Sequence, residues 1–241
     1  MPDTTIDGQT HRNNDVSKGV RKRMLQVGFT ILIQAAILFA SSGRLDWVMA
    51  WVYIGVGVGI VAINTAIIVP RNPELIAERG QIKENTKSWD KVLVVLYGIF
   101  SLATLIVAGI DVRMGWTEPI ASMIELVALA FYAFGYGLAS WAMASNKFFS
   151  SAVRIQKERG HTVATAGPYQ YVRHPGYAGM IIAWIATPLS LGSLFALIPA
   201  GLMVFIFIAR TVLEDRTLQD ELNGYKDYAK RVRYRLVPGI W

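Results

Sequence analysis

The chain has 241 residues, 53% of them hydrophobic and only 17% charged, with no cysteine and three histidines. The lack of cysteine excludes disulfides, thiolate nucleophiles and cysteine metal sites, and three scattered histidines do not build a metal cage. The net charge of +7 would suit nucleic acid, but the basic residues sit in loops between apolar runs, which points to a membrane. Residues 1–17 are polar and aperiodic and read as a disordered tail. Apolar runs follow at residues 24–40, 47–69 (ending at Pro70), 92–110 and 119–144, with Pro119 suited to a first helical turn. A hydrocarbon core of about 30 Å needs about 20 helical residues, so residues 18–144 are expected to hold four spans. Residues 177–189 form a shorter apolar run, and residues 194–209 a sixth, extended by Leu213. Ser190-Leu191-Gly192-Ser193 between them reads as a turn. The expected fold is all-α and polytopic: about six apolar helices, the last two a tight hairpin, and the fifth short for a full crossing.

The loop charges give an expected orientation. Lys18, Arg21, Lys22 and Arg23 precede the first run, and Arg71, Arg79, Lys83, Lys87 and Lys91 lie between the second and third. Lys147, Arg154, Lys157, Arg159 and Arg173 precede the fifth. Arg210, Arg216, Lys226, Lys230, Arg231, Arg233 and Arg235 follow the sixth. The opposite loops hold only Arg44 and Arg113. This bias places both termini and the Arg173-His174 segment in the cytoplasm, in a cell inner membrane or its equivalent. The basic cluster, first apolar run and Ala40-Ser41-Ser42 also have the form of a cleavable signal peptide. An uncleaved span keeps the loop alternation and is preferred.

Chemistry concentrates in residues 145–176 and 210–241, which the hairpin brings together at one cytoplasmic end. Gly167-Pro168-Tyr169-Gln170-Tyr171-Val172-Arg173-His174-Pro175-Gly176-Tyr177 is polar, aromatic and turn-rich between apolar runs, and Pro168 and Pro175 fix its backbone. Arg210 and Glu214 are four apart on one helix face. A pocket roofed by these segments offers cations, carboxylates, aromatic faces and backbone donors, and suits a zwitterionic cofactor with an amino acid end, a ribose and a purine. Each feature also has a plain reading. Arg173 is a boundary anchor, the tyrosines an interfacial belt, Arg210 and Glu214 a surface pair, and the basic tail a headgroup contact. Glu125 reads as a solvated acid near the outer end of the fourth span. Gln34 and Asn64 read as interhelical hydrogen-bond formers, and Gly55-Val56-Gly57-Val58-Gly59 as a site of close helix packing.

Arg173-His174-Pro175-Gly176-Tyr177-Ala178-Gly179 resembles the RHPxYxG motif of the isoprenylcysteine carboxyl methyltransferase family, itself similar to membrane phospholipid methyltransferases. Residues 161–169 resemble the approach to that motif, Arg210 with Glu214-Asp215 its second block, and Tyr225-Lys226-Asp227-Tyr228 with Val237-Pro238-Gly239 its C-terminal end. The resemblance covers residues 146–241. It implies S-adenosylmethionine as cofactor, bound by Gln156, His161, Thr162, Val163, Ala164, Tyr169, His174, Pro175, Gly176, Tyr177 and Glu214. It also implies Arg210 facing the methyl acceptor, with Arg173 as a second catalytic residue, and no metal. Asp215 stands where the family usually has a second Glu. The implied partner is a lipophilic acceptor entering from the bilayer, most simply a prenylcysteine carboxylate, with a phospholipid amine or small thiol as alternatives. An NADPH-dependent sterol-type reductase resembles this segment too, but usually has Glu where Met180 follows Gly179. A small transporter would carry polar residues through several spans, which this chain does not.

Overall fold

The computed structural model describes residues 4–80 and 85–241, with side chains from residue 14 onward, so Lys83 lies outside the described residues. Among these residues eight α-helices follow in chain order: α1 Thr4–Ser42, α2 Val48–Arg71, α3 Pro73–Arg79, α4 Ser88–Met114, α5 Ser122–Ala144, α6 Pro175–Ser190, α7 Leu197–Glu221 and α8 Tyr225–Arg231. No strand occurs among the described residues. Among the described residues five helices are long and apolar enough to cross a membrane: α1 from Asn14, α2, α4, α5 and α7. Their outer faces expose large apolar side chains, such as Leu25, Phe29 and Leu32 on α1 and Phe131 and Phe134 on α5. Lipid is the solvent that makes such surfaces stable, and helices satisfy every backbone group within it.

Several expectations change. Residues 4–17, read as disordered, continue α1: an existing helix gains one hydrogen bond per added residue, and the only proline near this end is Pro2. Pro119 lies before α5 rather than in its first turn. Asp111 accepts hydrogen bonds from the Thr117 N–H and hydroxyl, both 2.7 Å, and Ala121 takes the N-cap position. Gln34 and Asn64 make no interhelical hydrogen bond among the described residues. Gln26 Nε2 instead reaches the Gly80 carbonyl at 3.4 Å, and Thr65 Oγ1 faces Met24 Sδ at 3.6 Å.

The close helix packing expected at Gly55, Gly57 and Gly59 lies elsewhere. A Cβ at Gly55 or Gly59 would meet nothing within 4 Å, and one at Gly57 would meet only the Tyr132 hydroxyl. The tight crossing joins α5 to α6: a Cβ on Gly179 would lie 2.3 Å from the Gly135 carbonyl oxygen, and one on Gly135 2.5 Å from that of Gly179. With 16 residues, α6 is about 24 Å long and falls short of the hydrocarbon thickness. It lies against α5 and α7 and buries Gly179, Ala183, Trp184, Ala186 and Thr187. Gly179→Ala is expected to lower stability by about 1–3 kcal/mol through overpacking. Gly137→Ala, where an added Cβ meets nothing within 4 Å, should not. Thermal unfolding of the two variants in detergent checks this; equal Tm values would contradict the crossing.

The loops rich in Arg and Lys gather at one end of the bundle. Lys87 N–H bonds to the Val153 carbonyl at 3.1 Å, Ser151 Oγ to the Arg79 carbonyl at 3.2 Å, and Arg173 N–H to the Tyr234 carbonyl at 2.9 Å. Two of these cations, Arg154 and Arg173, are buried and paired with carboxylates. Arg154 is 4% exposed and binds Glu78 and Glu158.

Candidate functional site

A cleft opens at this basic end, between the loop 146–166, the segment 167–177, the last turns of α7, and α8. The local sequence explains its walls. Gly167 has φ of 59° and its absent Cβ makes room for Ser145, so the chain turns there into a short 3₁₀ helix, Gly167–Gln170. Pro175 occupies the first helical position of α6, where its missing N–H removes no hydrogen bond. Between them, Arg173 is 7% exposed.

Arg173 lines the cleft, and its polar atoms are held by the protein itself. Its Nε and Nη2 fork onto Asp215 at 2.8 and 2.9 Å, and Nη1 donates to the Val232 and Arg233 carbonyls at 3.0 and 2.9 Å. Asp215 is fully buried and also accepts from Arg235 Nε at 2.9 Å, Gln219 Nε2 at 2.9 Å and the Tyr225 hydroxyl at 3.0 Å. His174 Nε2 stands 3.3 Å from its Oδ1. Its donors are committed to α7 and the C-terminal tail, so it positions both. Residues adjacent in a helix point about 100° apart, so Asp215 turns toward the tail while Glu214 faces the cleft.

Of the expected cofactor residues, His161, Thr162, Val163, Ala164, Tyr169, His174, Gly176, Tyr177 and Glu214 line the cleft. The Tyr177 hydroxyl donates to Glu214 Oε2, and the Tyr177 ring stacks on His174 with a centroid separation of 5.8 Å and an interplanar angle of 6°. The backbone N–H groups of Thr162, Val163 and Ala164 have no partner among the described residues, so this extended stretch offers free donors. His161 packs on Phe148 at 4.5 Å between ring centroids, and its Nδ1 accepts from the Gln156 N–H at 3.3 Å. Burial, then the charges of Arg154 and Arg159, lowers its pKa to about 4, so the imidazole is neutral at pH 7 and acts as an acceptor. Burial keeps the Tyr169 phenol protonated by raising its pKa; Asn146 Nδ2 donates to it at 3.2 Å.

Three expected residues do not line the cleft. Gln156 is 1% exposed, donates to the Phe148 carbonyl at 2.7 Å and accepts from Arg159 at 2.6 Å; it shapes the loop from behind. Pro175 starts α6. Arg210 stands behind Tyr177, its Cζ 5.5 Å from the ring centroid. It pairs with Asp90 at the start of α4: Nη2 donates to Oδ2 at 3.1 Å, while Nε lies 2.8 Å from Oδ1 without pointing at it. No Arg210–Glu214 pair forms.

Asp90 was not visible as part of a site. A single acid in a first helical turn reads as complementing the helix dipole, and its partner lies 120 residues away. Phe148, Phe149, Leu218, Leu222, Tyr225 and Tyr228 also line the cleft. Tyr225 and Tyr228, three apart on α8, share a face, which was the one local signal for their role.

A bundle of membrane-length helices with a carboxylate- and tyrosine-lined cleft at one end defines a polytopic membrane protein. Residues 127–220 match the Isoprenylcysteine carboxyl methyltransferase (ICMT) family, and the chain is ICMT-like across most of α5, all of α6 and nearly all of α7. It is similar to protein-S-isoprenylcysteine O-methyltransferase of Schizosaccharomyces pombe, 30% identical over 116 residues, covering 47% of this chain and 49% of that protein. The Dictyostelium discoideum protein of that name is 33% identical over 94 residues, 38% of this chain and 39% of its own length. Protein-S-isoprenylcysteine O-methyltransferase B of Arabidopsis thaliana is 29% identical over 90 residues, 36% of this chain and 46% of its own length. The chain thus spans half or less of these curated relatives.

Proposed function

We propose that the chain is a membrane methyltransferase that uses S-adenosylmethionine to methylate a lipophilic acceptor, a carboxylate as in the name of the matched family. The observation that carries this reading is the cleft wall inside the matched region: the Glu214 carboxylate, the Tyr177 and His174 rings, and beside them the free N–H groups of residues 162–164. These suit a ligand with an ammonium, ribose hydroxyls, a cation and a purine. Glu214 would accept charge-assisted hydrogen bonds from the ammonium or hydroxyls. The backbone of 162–164 would meet the purine edge, and the tyrosine face would favour the sulfonium. The cleft holds about 90 Å³, less than the roughly 300 Å³ of a small-ligand pocket.

The cofactor supplies an electrophilic methyl group. A carboxylate acceptor held beside Glu214, Tyr177 and His174 would present an oxygen that is already ionised to that methyl group. No proton moves, so His174 needs no role as base. The chain's part is to hold the two reactants in line and exclude water, an effect of about 7–11 kcal/mol when orientation is good. The Arg- and Lys-rich loops at the cleft end support a cytoplasmic placement of the site and both termini.

Titration of the detergent-purified chain with S-adenosylhomocysteine tests the reading. Saturable binding, together with transfer of labelled methyl from S-adenosylmethionine to a prenylated cysteine, is expected. Absence of nucleoside binding to folded protein would overturn it.

A further inference from the structure

Three arginines from outside and inside the matched region converge beside the cleft. Arg210 Nη2 donates to the Ser151 carbonyl at 2.8 Å, and Ser151 Oγ donates to the Arg79 carbonyl at 3.2 Å, so one residue joins α7 to the end of α3. Arg23 of α1 lies alongside: a Cβ built at Gly80 would be 3.5 Å from the Arg23 Cβ. The Arg79 guanidinium sits over the Phe149 ring, 5.1 Å from its centroid, and Phe149 lines the cleft. Arg79 Nη1 is buried and has no hydrogen-bond partner.

Among the described residues the arginines at this end differ in their pairing. Arg154, Arg173 and Arg210 each have a carboxylate, whereas Arg23 and Arg79 pair with none among the described residues. Burial, followed by repulsion from Arg23 and Arg210, brings the Arg79 pKa down to about 10. A buried donor without a partner is costly. An oxyanion seated among these arginines would offset that cost, and a guanidinium fork matches carboxylate and phosphate alike.

We propose that Arg79 and Arg23, with Arg210, form an oxyanion-binding site beside the cleft that takes the anionic end of an amphiphile. That this amphiphile is the methyl acceptor rests on the proposed function; the oxyanion site itself does not. Both new residues lie outside residues 127–220, so they are part of the N-terminal helices and set which acceptors this chain admits. The alternative role for Arg79 is packing on Phe149 alone.

The test uses the full chain in nonionic micelles and three bromine-tagged C12 amphiphiles, a carboxylate, a phosphate monoester and an alcohol, read by quenching of tryptophan fluorescence. Saturable quenching by the two anions and not by the alcohol is expected. Arg79→Gln and Arg23→Gln should each weaken anion binding about tenfold or more, the scale of one lost charge-assisted hydrogen bond. S-adenosylhomocysteine affinity should stay within about twofold, which also shows that the variants are folded. Equal quenching by the alcohol, or unchanged anion affinity in both variants, would overturn the site. Anion binding without nucleoside binding would leave the site standing and overturn the methyltransferase reading. A strong preference for phosphate would keep the oxyanion site and assign it to a lipid headgroup in place of a carboxylate acceptor.

Discussion

Asp215→Ala is expected to destabilise the chain by about 3–5 kcal/mol, the cost of removing one partner from a buried ion pair. Asp215 is 0% exposed and joins Arg173, Arg235, Tyr225 and Gln219. Without it, the Arg173 guanidinium stays buried with two of its hydrogen bonds gone, and the tail loses its anchor on α7. Arg173 also fixes the tail through the Val232 and Arg233 carbonyls, so α8 and its cleft tyrosines should loosen together. Thermal unfolding in detergent, with proteolysis of residues 222–241 as a local readout, measures this. A variant with an unchanged Tm and a protected tail would show that the hub carries little of the stability.

Glu214→Gln should behave in the opposite way. The amide keeps the shape and can still accept from the Tyr177 hydroxyl, so stability should change little. The negative charge facing the cleft is lost, and with it a charge-assisted hydrogen bond worth about 1.5–3 kcal/mol. S-adenosylhomocysteine affinity should therefore fall about ten- to a hundredfold at nearly constant Tm. Unchanged affinity would remove Glu214 from the donor site. Two acids adjacent in sequence thus have separable roles, one for stability and one for the ligand, because a helix points them to different surfaces.

Much of this arrangement is legible in the sequence for simple reasons. Apolar run length reports the spans, because a bilayer of fixed thickness requires a fixed number of helical residues. Gly167, Pro168 and Pro175 report the turns that carry the chain into α6, because their backbone limits are local. The Arg173-to-Gly179 motif reports a cleft wall, and nine of the eleven residues expected to bind the cofactor line it. Gln156 and Pro175 do not, because spacing along an irregular loop does not say which side a residue presents.

What failed had a common cause. Glycine spacing in α2 looked like a helix crossing, but a close approach needs a partner of equal shape. Gly135 and Gly179 supply each other with one across α5 and α6. Arg173 and Arg210 looked alike as basic residues near a site, yet their acids are Asp215 and Asp90, on different helices. The composition and hydropathy of this chain determined its class, its spans and the end where its chemistry lies. Only the tertiary structure decided which cations meet a carboxylate inside the protein and which have none among the described residues. Charge pairing depends on distances between residues far apart in the chain, and no local pattern encodes them.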